Sequence, residues 1–162
     1  MRTNWDDTLR AAGLRVTLPR GLVLTALSEH PHSDADTLLA AARRSYPNLS
    51  AQAVYGVLKA FVGAGIARRF EPAGASALYE LRVGDNHHHL VCRRCGTVVD
   101  VDCAVGSAPC LTPAPSSAPA AADFAVDEAE VIFWGVCAQC RAAASPSELH
   151  AHDNPPARKV GA

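Results

Sequence analysis

The 162-residue chain has no apolar run approaching the ~18–20 residues of a membrane span, which excludes a transmembrane helix. Its opening, MRTNWDDTLR, lacks an apolar stretch and carries acids early, unlike a secretory signal, so a cytoplasmic protein is expected. Lysine is nearly missing, at Lys59 and Lys159 only, and arginine carries most of the positive charge. Neither sign of charge dominates: the net charge is −1. The balance hides an asymmetry. Residues 1–70 carry a net of +4 and residues 71–162 a net of −5. A basic half joined to an acidic half points to two modules with different partners. With 49% apolar and 19% charged residues, the chain can bury a core.

Helical periodicity fills the first half. Trp5, Leu9 and Ala12 repeat at i, i+4, i+7 before Gly13. Thr17 and Pro19 signal a second helix with Val23, Ala26 and Leu27 inward. Ser33 or Asp34 caps a third, with Ala35, Leu38, Ala42 and Tyr46 inward and Pro47 as its stop. Ser50 caps a fourth, with Val54, Val57, Leu58 and Phe61 inward. Strand-like runs at 66–70 and 77–81, separated by Glu71-Pro72-Ala73-Gly74, then read as a hairpin. Short helices followed by a hairpin describe a winged helix-turn-helix, expected over residues 1–83. After the hinge-like Val83-Gly84-Asp85-Asn86, strand-like runs lie at 89–92, 97–101 and 130–134. They belong to a small α/β module expected over residues 84–144, making the whole chain α+β. Residues 104–122 are rich in Pro, Ala and Ser and read as a loop without a fixed helix. Residues 145–162 read as a disordered tail.

Six cysteines are present, and without an export signal paired cysteines read first as metal ligands or redox thiols. Cys92-x-x-Cys95 and Cys137-x-x-Cys140 each follow a strand-like run. A CxxC puts two thiolates on one tight turn, and two such turns complete a tetrahedral zinc site with Zn–S distances of ~2.3 Å. Two rivals fail. A thioredoxin-like CxxC opens a helix in a βαβ context, and neither pair is expected to. A zinc deaminase needs H-x-E with P-C-x-x-C, and neither element is here. A closed four-Cys site leaves no open position for catalysis, so zinc is expected to be structural and the protein not an enzyme.

His87-His88-His89 is the most unusual segment. In a strand, alternate side chains share a face, so His87 and His89 point the same way. Asp100 on the next strand can approach that face, and Glu80 and His32 can join from the first module. Three imidazoles and two carboxylates suit Fe(II), Mn(II) or Zn(II). On the fourth helix, Gln52, Tyr55 and Lys59 lie at i, i+3, i+7 opposite the apolar stripe, a set that can face a DNA groove. Arg15 and Arg20 flank the start of the second helix and can reach phosphates or the minor groove.

In this order, His32, the helix from Ser50, Tyr79-Glu80, His87-His88-His89-x-x-Cys92-x-x-Cys95-Gly96 and Trp134-Gly135-Val136-Cys137-x-x-Cys140 resemble the ferric uptake regulator family, over roughly residues 8–141. Asp100-Val101-Asp102-Cys103, Cys110 and the Ala- and Arg-rich composition are most similar to its actinobacterial peroxide and catalase-operon branch. The resemblance implies a homodimeric, metal-dependent repressor on a palindromic double-stranded operator. It implies structural zinc on Cys92, Cys95, Cys137 and Cys140. It implies a regulatory Fe(II) or Mn(II), with Zn(II) as an alternative, on His32, Glu80, His87, His89 and Asp100, and it selects His32 over His30. In the peroxide-sensing branch, bound Fe(II) reacts with hydrogen peroxide and a ligating His is oxidised; here that implies His32 or His87. Peroxide would be the only small-molecule signal. Glu80 stands where peroxide sensors typically carry Asp and is the residue of iron sensors, so iron or zinc sufficiency is the alternative signal. Gly56 stands where the family often has a basic residue, and no His precedes Glu130 to serve an additional metal site. His88 is left unassigned. Cys103 and Cys110 read as ordinary thiols or an adventitious disulfide, with a redox role as the other option.

Overall fold

In a computed structural model of the chain, the described residues are 5–111, 124–127 and 129–143. They form two compact units, Met1–Asp85 and Asn86–Ala162. No helix among the described residues is long and apolar enough to cross a membrane. The expected tail at 145–162 lies outside the described residues.

The first unit runs α1 (Trp5–Ala11), α2 (Leu18–Glu29), α3 (Ala35–Arg43), α4 (Ala51–Gly63), β1 (Arg68–Phe70) and β2 (Leu78–Glu80). Pro19 lies in the first turn of α2, where its missing N–H has no intrahelical partner to lose. Asp34 caps α3 by accepting from the Thr37 N–H, and Ser50 caps α4 by accepting from the Ala53 N–H. The apolar stripes converge on one core containing Leu9, Leu24, Leu27, Leu38, Leu58 and Phe61. Tyr46 departs from expectation: it is 40% exposed, and Leu49 fills the core instead. Pro47 disfavours helical geometry at the residue before it, and α3 stops at Arg43, so Tyr46 leaves the helical stripe.

β1 and β2 pair antiparallel, with Arg68 opposite Glu80. A single bridge, Tyr79 N–H to Ser33 O at 3.0 Å, ties the α2–α3 turn to β2. That bridge sets residues 32 and 33 beside the hairpin.

The second unit is a three-stranded sheet in the order β4-β3-β5, formed by β3 (His87–Cys92), β4 (Val98–Asp102) and β5 (Ile132–Gly135). β3 pairs antiparallel with β4 and parallel with β5. It starts two residues earlier than expected, because His87 and His88 pair with Asp102 and Val101. Residues 104–111 form no helix or strand, and residues 112–122 of the expected loop lie outside the described residues. The helix α5 (Ala138–Ala142) was not expected. It corrects the reading that neither CxxC opens a helix: Cys137 is the N-cap of α5. Five residues are too few for periodicity to reveal.

Among the described residues, only Val91 and Cys92 are buried apolar residues in the second unit, whereas the large core cluster lies wholly in the first. Phe61→Ala should therefore destabilise the first unit by ~3–5 kcal/mol. Ser50→Ala should cost only ~1 kcal/mol. Urea unfolding of the full chain, followed by circular dichroism, measures both.

Candidate metal centres and nucleic-acid face

The two CxxC turns meet within the second unit. The four sulfurs of Cys92, Cys95, Cys137 and Cys140 lie within 4.8 Å of one another. Cys95 Sγ and Cys137 Sγ are 3.7 Å apart, well beyond a disulfide bond. A tetrahedron with ~2.3 Å arms has edges of ~3.8 Å, so this separation fits two thiolates on one zinc. Local backbone bonds build the arrangement. Gly96 N–H donates to Cys92 O at 2.9 Å and Cys92 N–H to Thr97 O at 2.9 Å, which closes the first turn. Gly96 sits at φ +72°, a conformation side-chain-bearing residues rarely adopt. Arg93 N–H donates to Gly135 O at 2.8 Å, extending the β3–β5 pairing towards the second turn.

The protonation pattern fits a cation-dependent cluster. The Cys137 N–H, followed by that of Cys95, draws the Cys92 thiol down to about 6. The Thr97 hydroxyl, at 3.1 Å, lowers Cys95. Crowding by the sulfurs of Cys95 and then Cys137 pushes Cys140 up to about 12. Without an ion the fourth thiol therefore keeps its proton at neutral pH. A dication would stabilise all four as thiolates, and the donor set fits zinc.

The imidazoles and carboxylates form partial sets in each unit. In the first, His32 Nε2 lies 3.1 Å from Glu80 Oε2, and Glu80 is 1% exposed. His32 has φ +55°, an uncommon conformation for a residue with a side chain, held where Ser33 bridges to Tyr79. Its ring also meets Phe70 edge-on, with centroids 5.9 Å apart. His30, the other candidate, terminates α2 and faces Arg44 at 3.1 Å.

In the second unit, His87 and His89 are buried on one face of β3 with ring centroids 5.1 Å apart. Asp100 is the direct register partner of His89, with Oδ1 3.6 Å from Nε2. Nitrogen and oxygen donors of this kind suit a borderline or hard divalent ion. Residue spacing alone assigns no joint role to His88, Cys103 and Cys110. The period-two alternation alone puts His88 on the opposite face from His87 and His89, but the fold of residues 103–110 was not readable.

On α4, Gln52, Tyr55 and Lys59 are all exposed, opposite the buried Val54, Val57, Leu58 and Phe61. Arg15 is exposed beside the start of α2, and the Arg20 guanidinium donates to Arg15 O at 2.6 Å. That bond holds the two arginines in one local cluster.

A winged helix joined to a small sheet carrying a four-thiol cluster and imidazole–carboxylate donors defines a metal-responsive transcriptional regulator, not an enzyme. The ferric uptake regulator family matches residues 11–105, and the chain belongs to that family. It is 53% identical over 137 residues to the transcriptional regulator FurA of Mycobacterium tuberculosis, covering 85% of this chain and 90% of that one. It is 31% identical over 135 residues to the peroxide-responsive repressor PerR of Staphylococcus aureus, covering 83% and 87%. Among solved structures, the Vibrio cholerae ferric uptake regulator superposes with a TM-score of 0.60 at 27% identity, covering 82% of this chain and 98% of that one.

Protons compete with zinc for the four sulfurs, and the Cys140 proton must leave as zinc binds. Zinc uptake near pH 7 should release protons into weakly buffered solution. Apparent affinity should fall as the pH is lowered from about 8 to about 6, measured by competition with a chromogenic chelator. Stripping the ion should unfold the second unit, which buries little apolar surface, while the helices of the first stay protected in hydrogen exchange.

Proposed function

We propose that the protein is a cytoplasmic, homodimeric repressor on a palindromic double-stranded operator. In this reading one divalent ion is held jointly by His32 and Glu80 of the first unit and by His87, His89 and Asp100 of the second. The ion is Fe(II) or Mn(II), with Zn(II) as an alternative, and a separate structural zinc sits on Cys92, Cys95, Cys137 and Cys140. The observation that carries the reading is the division of imidazole and carboxylate donors, buried at Glu80, His87 and His89 and half-buried at His32 and Asp100, between the two units. Two donors on one unit and three on the other are each a partial ligand set; together they number five.

Ligands drawn from both units would fix the angle between them, and hence the spacing of two recognition helices on DNA. Moving such an equilibrium from roughly 1:99 to 99:1 takes ~5.5 kcal/mol of preference for the closed form. On α4, Gln52 reads base edges, Tyr55 contacts base or phosphate, and Lys59, Arg15 and Arg20 neutralise phosphates. Leu90, Val99 and Phe133 support the dimer. They are register neighbours across the sheet and form a row of apolar side chains 42–52% exposed, which a second copy can cover.

The signal we propose is hydrogen peroxide. A ferrous ion held there would activate the peroxide. Overall, one peroxide oxygen would pass to the imidazole of His32 or His87, which would lose two electrons, and the other would leave as water; the oxidised ring would no longer serve as a ligand, which would free the angle and release DNA. Asp100 and the composition of the Asp100–Cys103 segment favour this reading. Glu80 favours a second, in which iron or zinc sufficiency is the signal.

Mass spectrometry of iron-loaded protein after brief peroxide exposure separates the two. One added oxygen on a peptide containing His32 or His87, with loss of operator binding, is the expected result. Unmodified histidines with retained binding would leave the sufficiency reading. For the DNA face, Gln52→Ala should cost ~1–3 kcal/mol of discrimination at the contacted base pair. Lys59→Ala should weaken binding to all sequences alike and reduce the salt slope by ~1. Fluorescence anisotropy over a salt series reads both.

A further inference from the structure

We propose that His88, Cys103 and Cys110 form a further metal site, separate from the four-cysteine cluster and from the ligands of the regulatory ion, and that it takes a thiophilic divalent ion such as Zn(II). Their ligand atoms lie within 4.8 Å of one another. Cys110 Sγ stands 3.3 Å from His88 Nε2. A nitrogen and a sulfur sharing one tetrahedral zinc, with arms of ~2.0 and ~2.3 Å, lie ~3.5 Å apart.

The burial is the second, independent observation. His88 is 7% exposed, on the face of β3 opposite His87 and His89, with its ring edge-on to Phe133 at 6.0 Å. Its Nδ1 is buried without a hydrogen-bond partner among the described residues. A buried polar atom left unpaired costs free energy, so an imidazole placed here beside apolar surface needs another source of stabilisation. Coordination through the Nε2 that faces the thiols supplies one.

The backbone builds the arrangement. Cys103 N–H donates to Asn86 O at 3.2 Å, which pins the chain leaving β4 beside the start of β3. Gly106, at φ +81°, turns the chain back and returns Cys110 to His88. Two thiolates and an imidazole are soft and borderline donors, which select zinc over magnesium, calcium or manganese. Three protein ligands leave a fourth position for water. The site shares no residue with the four-thiol cluster, and it holds whether or not peroxide is the signal.

The test is cobalt substitution in full-length protein stripped of metal and kept reduced. Cobalt bound by sulfur gives an intense thiolate-to-metal charge-transfer band, which cobalt on nitrogen and oxygen ligands lacks. Wild type should take two thiolate-ligated cobalt ions per chain and C103S/C110S only one. The retained ion on the four cysteines reports that the variant still folds. An equal count and equal charge-transfer intensity in the two proteins overturns the proposal, whether the two thiols are free or disulfide-bonded. Should the double variant also lose the first ion, His88→Ala, which keeps all six thiols, decides the matter. Its second cobalt should bind at least ~10-fold more weakly than in wild type, and unchanged affinity overturns the proposal.

Discussion

The second unit gathers four sulfur atoms, those of Cys92, Cys95, Cys137 and Cys140, within 4.8 Å of one another. Among the described residues its sheet has three strands and buries only Val91 and Cys92 as apolar residues. Hydrophobic burial on that scale does not order a domain, and small domains of this kind rely on a metal or a cross-link. Cys92 ends β3 with Cys95 just beyond it, and Cys137 and Cys140 follow β5, so the cluster lies at the same end of two parallel neighbours. Parallel strands need a long crossover, and a zinc ion on the four thiolates would fix their register across it.

The alternation of β3 then divides its donors between two faces. His87 and His89 point to one side and His88 to the other, so three adjacent residues meet two different sets of neighbours. On the first side, the pairing of His89 with Asp100 brings a carboxylate to an imidazole. On the second, the loop after β4 brings two thiols to His88. A shift of one residue in register would exchange the two faces and dismantle both sets. In the first unit, the bridge from Ser33 to Tyr79 plays the corresponding part by setting His32 beside Glu80.

Much of this could be read from residue spacing. Val54, Val57, Leu58 and Phe61 repeat with the helical period and are all buried. Period-two alternation put His87 and His89 on one face, and the two CxxC pairs announced a closed four-thiol site. The failures have physical causes. Pro47 cut α3 short and put Tyr46 outside the core, an effect of backbone sterics that the apolar pattern conceals. α5 escaped notice because five residues show no period, and its start is set by Cys137 capping rather than by an apolar stripe. The grouping of His88 with Cys103 and Cys110 depends on a loop folding back at Gly106, which no local spacing encodes.

The proposed switch requires one ion shared between donors of both units. A double-mutant cycle on manganese binding tests it directly, with affinity and stoichiometry read by electron paramagnetic resonance for wild type, His32→Ala, His89→Ala and the double variant. Ligands of one ion act as a unit, so the double substitution should cost clearly less than the sum of the single losses, and wild type should hold one such ion per chain. Two manganese ions per wild-type chain, each lost only with its own histidine and with strictly additive losses, would contradict the account.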